Sequence, residues 1–301
     1  MKRKIVQHGT SSLTITLPFN WVNRYKLKKG EELEVEERGP ILEVSTRKDI
    51  AADKKEVNTT DFGYFTKNNL THLYQLGYDE IEIRFEDEKM LRELKDRVPE
   101  CVGFEIIDQK PNKILVKSIA SALESEFDTL LRKSFLITNE MAKAVLEALE
   151  KKEFSKLKEI RHQEFLNNKF TMTCARILNK RGYSNPKRTL QMYEIVKQLE
   201  RIADHYKYIC DLFSNYNKRI NKDILNYFKE ANEYYYNFYQ IFYKFDPEFK
   251  EITYKDRVRL LRKGEELLKK SRNRESILIH YLLSLIRIIY DTTGAYFALI
   301  L

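Results

Sequence analysis

Cysteine is scarce in this 301-residue chain: Cys101, Cys174 and Cys210 are far apart and odd in number. A disulfide framework is not expected, no CxxC pair is available to hold a metal, and a reducing cytoplasm is the expected setting. Only 9 glycines and 6 prolines are present, too few for a collagen-like or linker-rich protein. The opening MKRKIVQHGTSS lacks the apolar core of a signal peptide. No Ser-His-Asp, Cys-His or phosphate-loop arrangement occurs, so the chain is not expected to be an enzyme. The longest apolar stretch, Ile277 to Leu301, carries His280, Arg287 and Asp291, which would be costly at bilayer depth. A buried bundle helix is expected there, without stable membrane insertion.

What is present describes a globular chain of several domains, with 43% hydrophobic and 33% charged residues. Lys and Arg number 54 against 45 Asp and Glu, a net charge of +9. That balance permits a polyanionic partner without requiring one. Most glycines and prolines fall before residue 112, whereas the remainder contains only Gly182, Gly264, Gly294, Pro186 and Pro247. This punctuation predicts a turn-rich, strand-bearing front and a long helical back, a multidomain α+β protein.

Three units follow. Residues 1–47 read as strands Lys4–His8 and Leu13–Leu17, a short helix opened at Pro18, then strands Glu32–Glu36 and Ile41–Ser45. A unit this small buries too little surface to fold alone and is expected to pair with a second copy. Residues 48–117 read as a small α/β segment, with helices Tyr64–Leu76 and Lys89–Arg97 and strands Glu80–Arg84, Phe104–Asp108 and Ile114–Lys117. No catalytic or ligand motif occurs in it, and a spacer or packing role is expected.

Residues 118–301 are dominated by helical periodicity. One helix starts at Leu123 and continues through Leu149. The others are Phe154–Leu178, Leu190–Phe213, Lys222–Phe245, Asp256–Lys270 and Ser276–Leu301. Three helices followed by three suggest a duplicated three-helix bundle, with repeats at about 118–215 and 220–301. Tyrosines 234, 235, 236, 239 and 243 fall at helical spacing and are expected to pack in and around the core.

Charge is segregated in the first unit. Residues 1–29 carry Lys2, Arg3, Lys4, Arg24, Lys26, Lys28 and Lys29 and no acid, while Glu31, Glu32, Glu34, Glu36, Glu37 and Glu43 follow. One face would attract phosphates, and twofold pairing would double it. Ser11, Ser12 and Asn20 could add hydrogen bonds to phosphates or base edges. An ordinary solvated face has the same pattern. The stretch RKIVQHGTSSLTITLPFNWVNRYKLKKGEELEVE resembles the swapped-hairpin DNA-binding domain of AbrB, MazE and SpoVT proteins. The resemblance implies a homodimer that interleaves its hairpins on double-stranded DNA, with Lys2, Arg3, Lys4 and Arg24 among the contacts. Here Gln7-His8-Gly9-Thr10-Ser11-Ser12 replaces the commoner basic turn.

In the third long helix, Glu200 and Asp204 lie four residues apart on one face. A hard cation would turn their repulsion into attraction, given further ligands from other helices; a solvated charge ladder with Lys197 and Lys207 would look the same. The segment LERIADHYKYIC, with the opening ALESEFDTLL, resembles the three-helix repeats of PhoU phosphate-signalling proteins. That resemblance implies an all-α duplicated bundle and a regulator of phosphate uptake. It also implies iron or zinc held by the motif that Glu200 and Asp204 match. The second repeat keeps Asp291 but has Arg287 where the glutamate belongs, and a guanidinium cannot ligate metal. Arg287 is expected to pair with Asp291. In the first repeat Asn167, Asn168 and Thr171 stand where carboxylates are usual, with His162 and Glu164 nearby. The joined arrangement resembles archaeal PhoU-family transcriptional regulators. The alternatives are an adaptor that docks on a phosphate transporter or kinase, and an antitoxin-like interaction protein.

Overall fold

The computed structural model describes residues 2–38, 40–46, 53–63, 65–119, 123–245 and 247–301. At the front, β1 (Val6–His8) and β2 (Ser12–Thr14) form an antiparallel hairpin, with Val6 opposite Thr14. Gly9 turns it at φ 71, a left-handed conformation that glycine adopts without steric cost. Both strands are shorter than the alternation predicts, because the ladder closes after three pairs. Pro18, extended at φ −62, precedes α1 (Phe19–Arg24). A second hairpin follows, β3 (Glu34–Arg38) against β4 (Ile41–Ser45). β3 lies two residues later than expected.

The second unit has the sheet order β5-β6-β8-β7. β5 (Lys54–Asn58) is parallel to β6 (Glu80–Arg84), and α2 (Lys67–Gln75) makes the crossover between them. After α3 (Glu88–Arg97), β7 (Phe104–Lys110) and β8 (Lys113–Ser118) complete the sheet as an antiparallel pair. Thr66 and Asn69 form a capping box that starts α2 later than the expected Tyr64, which lies outside the described residues. One sheet face buries Ile81, Ile83, Ile114 and Val116 under Leu70, Tyr74 and Leu94 of the helices. The other face carries ion pairs such as Lys54–Glu80 and Lys113–Glu82. β5 is absent from the sequence reading because Val57 is its one buried residue.

The helical unit comprises α4 (Phe127–Glu150), α5 (Leu157–Ile160), α6 (Gln163–Arg181), α7 (Thr189–Phe213), α8 (Lys222–Tyr243), α9 (Pro247–Lys270) and α10 (Asn273–Ile300). The single helix expected over 154–178 is broken into a 3-10 turn, α5 and α6. Phe154 and Leu157 both turn into the core before the chain redirects at Arg161 and His162. α9 begins nine residues before the expected Asp256, with Pro247 at its first position, where a missing N–H costs nothing.

One continuous core runs from Phe127 to Leu299. The tyrosine-rich α8 packs into it as expected: Tyr234 and Tyr235 are buried and donate to Thr253 O (3.3 Å) and Phe135 O (3.2 Å). Such partners make burial of a phenol affordable. α10 is long and apolar enough to cross a membrane, but half of its most apolar window is buried against the bundle. Its Tyr296 donates to Ile241 O at 2.8 Å. α6 also reaches outward, since its Met172 belongs to the core of the α/β sheet.

Candidate nucleic-acid interface and bundle carboxylates

In the front unit no described side chain is buried. Lys2, Arg3 and Lys4 lead into β1, Ser11 lies in the hairpin turn, and Ser12 opens β2. Asn20 and Arg24 are one turn apart on α1, so they share a helix face. All seven are exposed, as a phosphate-contacting set must be. Many of the apolar residues are exposed too, among them Ile5 67%, Leu13 71%, Phe19 72% and Ile41 63%, while Trp21 and Val22 are half-buried. Val6, Ile15, Val35 and Leu42 are likewise more than half in water. Fully burying one such side chain is worth about 1.5–3 kcal/mol. Eight of them left in solvent make an unfinished core.

The bundle carboxylates follow from the wheel of α7. Leu199, Ala203, Tyr206 and Cys210 are fully buried and fix which way that helix faces. Glu200 and Asp204 then fall at the rim. Glu200 pairs with Lys197, and Asp204 pairs with Lys207. Lys207 crosses to α6, where its Nζ lies 3.0 Å from Glu164 Oε1. Asn168 also donates to Glu164, at 2.5 Å. Each carboxylate is therefore satisfied by an ammonium group. Among the described residues, no three His, Cys, Asp or Glu side chains gather to hold a metal. This ion-pair ladder does not fit an iron or zinc centre unless Lys197 and Lys207 swing away.

His162 is exposed and outside this network. Asn167 and Thr171 turn inward: Asn167 Nδ2 donates to Thr138 Oγ1 at 2.8 Å, and Thr171 Oγ1 to Asn167 O at 3.0 Å. They are structural bonds within the core. In the second set of helices Arg287 does not pair with Asp291. It reaches across to Glu265 of α9 at 4.0 Å, because the guanidinium points out of the bundle toward the neighbouring helix.

Helices α4 to α7, with a buried stripe and a charged ladder along α7, agree with one known domain. Residues 131–213 match the PhoU domain. The match supports PhoU-family membership, and a PhoU domain points to a role related to phosphate homeostasis. No curated protein and no solved structure matches the chain. The PhoU segment contains Glu164, Glu200, Asp204 and Lys207, and leaves out the front unit and the sheet. Two residues that prove central to its contacts, Arg176 and Asp79, went unnoticed in the sequence. The available signal was an arginine inside the apolar run TMTCARIL, where a charge must find a partner.

Proposed function

We propose that the chain is a cytoplasmic, homodimeric DNA-binding transcriptional regulator of phosphate uptake. Its PhoU bundle receives the signal and its front unit holds double-stranded DNA. The observation that carries this reading is the state of residues 2–46, whose charge is segregated and eight of whose apolar side chains lie mostly in water. A second copy that interleaves its hairpins would bury Ile5, Leu13, Ile15 and Ile41. The same pairing would double the basic rim of Lys2, Arg3, Lys4 and Arg24. Helices α8 to α10 are read as a second, diverged copy of the three-helix repeat, with its metal motif lost at Arg287.

Neutralising phosphates releases counterions, so binding must weaken steeply with salt. The test is a salt titration of the full chain with random duplex DNA, alongside its mass in solution. A dimer with a steep negative slope supports the reading; a monomer, or no slope, overturns it. The PhoU match lies wholly within the bundle, which favours a second reading, an adaptor docking on a phosphate transporter or kinase. A salt-independent result would select that one.

A further inference from the structure

Asp79 lies where three separate parts of the chain meet. Its Oδ1 accepts from Arg176 Nη2 and from Lys180 Nζ, each at 2.6 Å and both on α6. Its Oδ2 accepts the backbone N–H of Asp53 at 3.3 Å, and its own N–H donates to Asp53 O at 2.8 Å. Its carbonyl accepts from Ser118 N at 2.7 Å. Asp53 is the first described residue after the front unit, and Ser118 ends β8, the last strand before the bundle. One residue therefore meets the entry to the sheet, its exit and a PhoU helix: its side chain holds Asp53 and α6, and its backbone holds Asp53 and Ser118.

The joint is built for permanence. Arg176 is 4% exposed, and its guanidinium lies 5.0 Å from the Tyr74 ring and 5.1 Å from the Phe104 ring. Its Nη1 donates to Tyr74 O (2.9 Å) and Tyr78 O (2.7 Å). Thr173 Oγ1 meets Tyr74 Oη at 3.1 Å, and Asn179 donates to Gln75 O at 2.7 Å. Gly77 adopts φ +99, and a Cβ there would lie 2.6 Å from Lys180 Cγ, so only glycine lets the two units approach this closely. At the other end of α6, Glu164 holds Lys207 and through it Asp204. Residues 164 and 176 are separated by about 18 Å of helix.

We propose that Asp79 is a positioning residue that ties the anchor point of the front unit to α6. A displacement of α6 at its Glu164 end would then be delivered to Asp53. Coupling between distant sites is carried by packed side chains, hydrogen-bond networks and rigid elements, and α6, held by ion pairs near both ends, is such an element. The consequence for DNA rests on the function proposed above, but the coupling itself does not.

The test is amide hydrogen exchange on the full chain in a double-mutant cycle. Lys207→Met removes the ammonium shared by Glu164, at the far end of α6, and Asp204 of α7. It is expected to change exchange in Lys54–Asn58 by about fivefold, the low end of ordinary coupling between sites. With Asp79→Asn already present, the same substitution should leave that segment unchanged. An equal response in both backgrounds, or no response in either, overturns the proposal. Protection of α8 to α10 reports whether the variants fold. If Asp79→Asn does not, Lys180→Met replaces it, keeping Arg176 while removing one cation, and the response should shrink. Salt-independent DNA binding by the unmodified chain would remove the DNA reading and leave this cycle valid.

Discussion

Gly264 of α9 faces Tyr227 of α8 across a gap that admits no side chain. A Cβ at 264 would lie 2.6 Å from Leu283 Cδ2 and closer still to Tyr227 Oη. The Tyr227 hydroxyl is buried with no hydrogen-bond partner among the described residues. The glycine thus sets how near the two helices approach, at the cost of an unsatisfied phenol. Overpacking of this kind costs about 1–3 kcal/mol, and Gly264→Ala should show it in urea melts. Tyr227→Phe should be neutral or stabilising alone, since it deletes the orphan hydroxyl. It should also recover part of the loss in the double variant. An alanine variant as stable as the parent would contradict the close approach.

Arg3 and Lys4 are the first contacts to test in the front unit. If both meet phosphates, replacing the pair by alanine should lower the salt slope by about 2, roughly one for each lost contact. The dimer mass should not change, because neither side chain belongs to the apolar set. A slope equal to that of the parent would remove these two residues from the interface.

His205 gives a stability signature in pH. Its Nδ1 lies 2.8 Å from Arg201 O, and its ring sits 6.0 Å from Tyr208 and 6.2 Å from Tyr281. Burial pushes its pKa below the ordinary 6.5, against the hydrogen bond to the Arg201 carbonyl and the charge of Asp204, with the Arg201 guanidinium and His280 adding to the shift. The unfolded chain therefore takes up a proton near 6.5 while the folded ring stays neutral. Stability from this group is present above that value and is lost as pH falls toward the folded pKa. The fall in Tm between about pH 7.5 and pH 5.5 should be smaller in His205→Gln than in the parent. An identical fall in both would show that the ring is as solvated as a free histidine.

For Glu200 and Asp204 the expected result is an ion-pair role. Elemental analysis after incubation with zinc or iron should find the same metal content in the parent and in Glu200→Gln/Asp204→Asn. Removing both carboxylates leaves Lys197 and Lys207 without these partners and should cost stability, by about 1 kcal/mol or less for each rim pair. Stoichiometric metal in the parent alone would restore the cluster that the PhoU resemblance implies.

Adjacent residues carry some of this structure openly. The repeating spacing of α7 placed Leu199, Ala203, Tyr206 and Cys210 inward and the two carboxylates at the rim, and the bundle keeps that arrangement. Strand Ile41–Ser45 and helix Lys222–Tyr243 coincide with their predicted spans, to within two residues. β5 was not legible, since one buried valine makes no alternating pattern and its strand forms only by pairing with β6. The break between α5 and α6 was hidden because no glycine or proline marks it anywhere between Phe154 and Leu178.

The sequence by itself determined the sites of turns, the helical faces, and the separation of basic from acidic residues in the front unit. Each depends on neighbours within a turn or two of chain, where propensity and periodicity act. The tertiary structure alone decided that Lys207 holds Glu164 and that Arg287 turns to Glu265. It alone joined Asp79 to Arg176, 97 residues away. Such pairs arise when packed helices and a sheet bring charges together, and around Arg176 and Glu164 the site is also poor in water. There a cation must take whichever acceptor the packing presents.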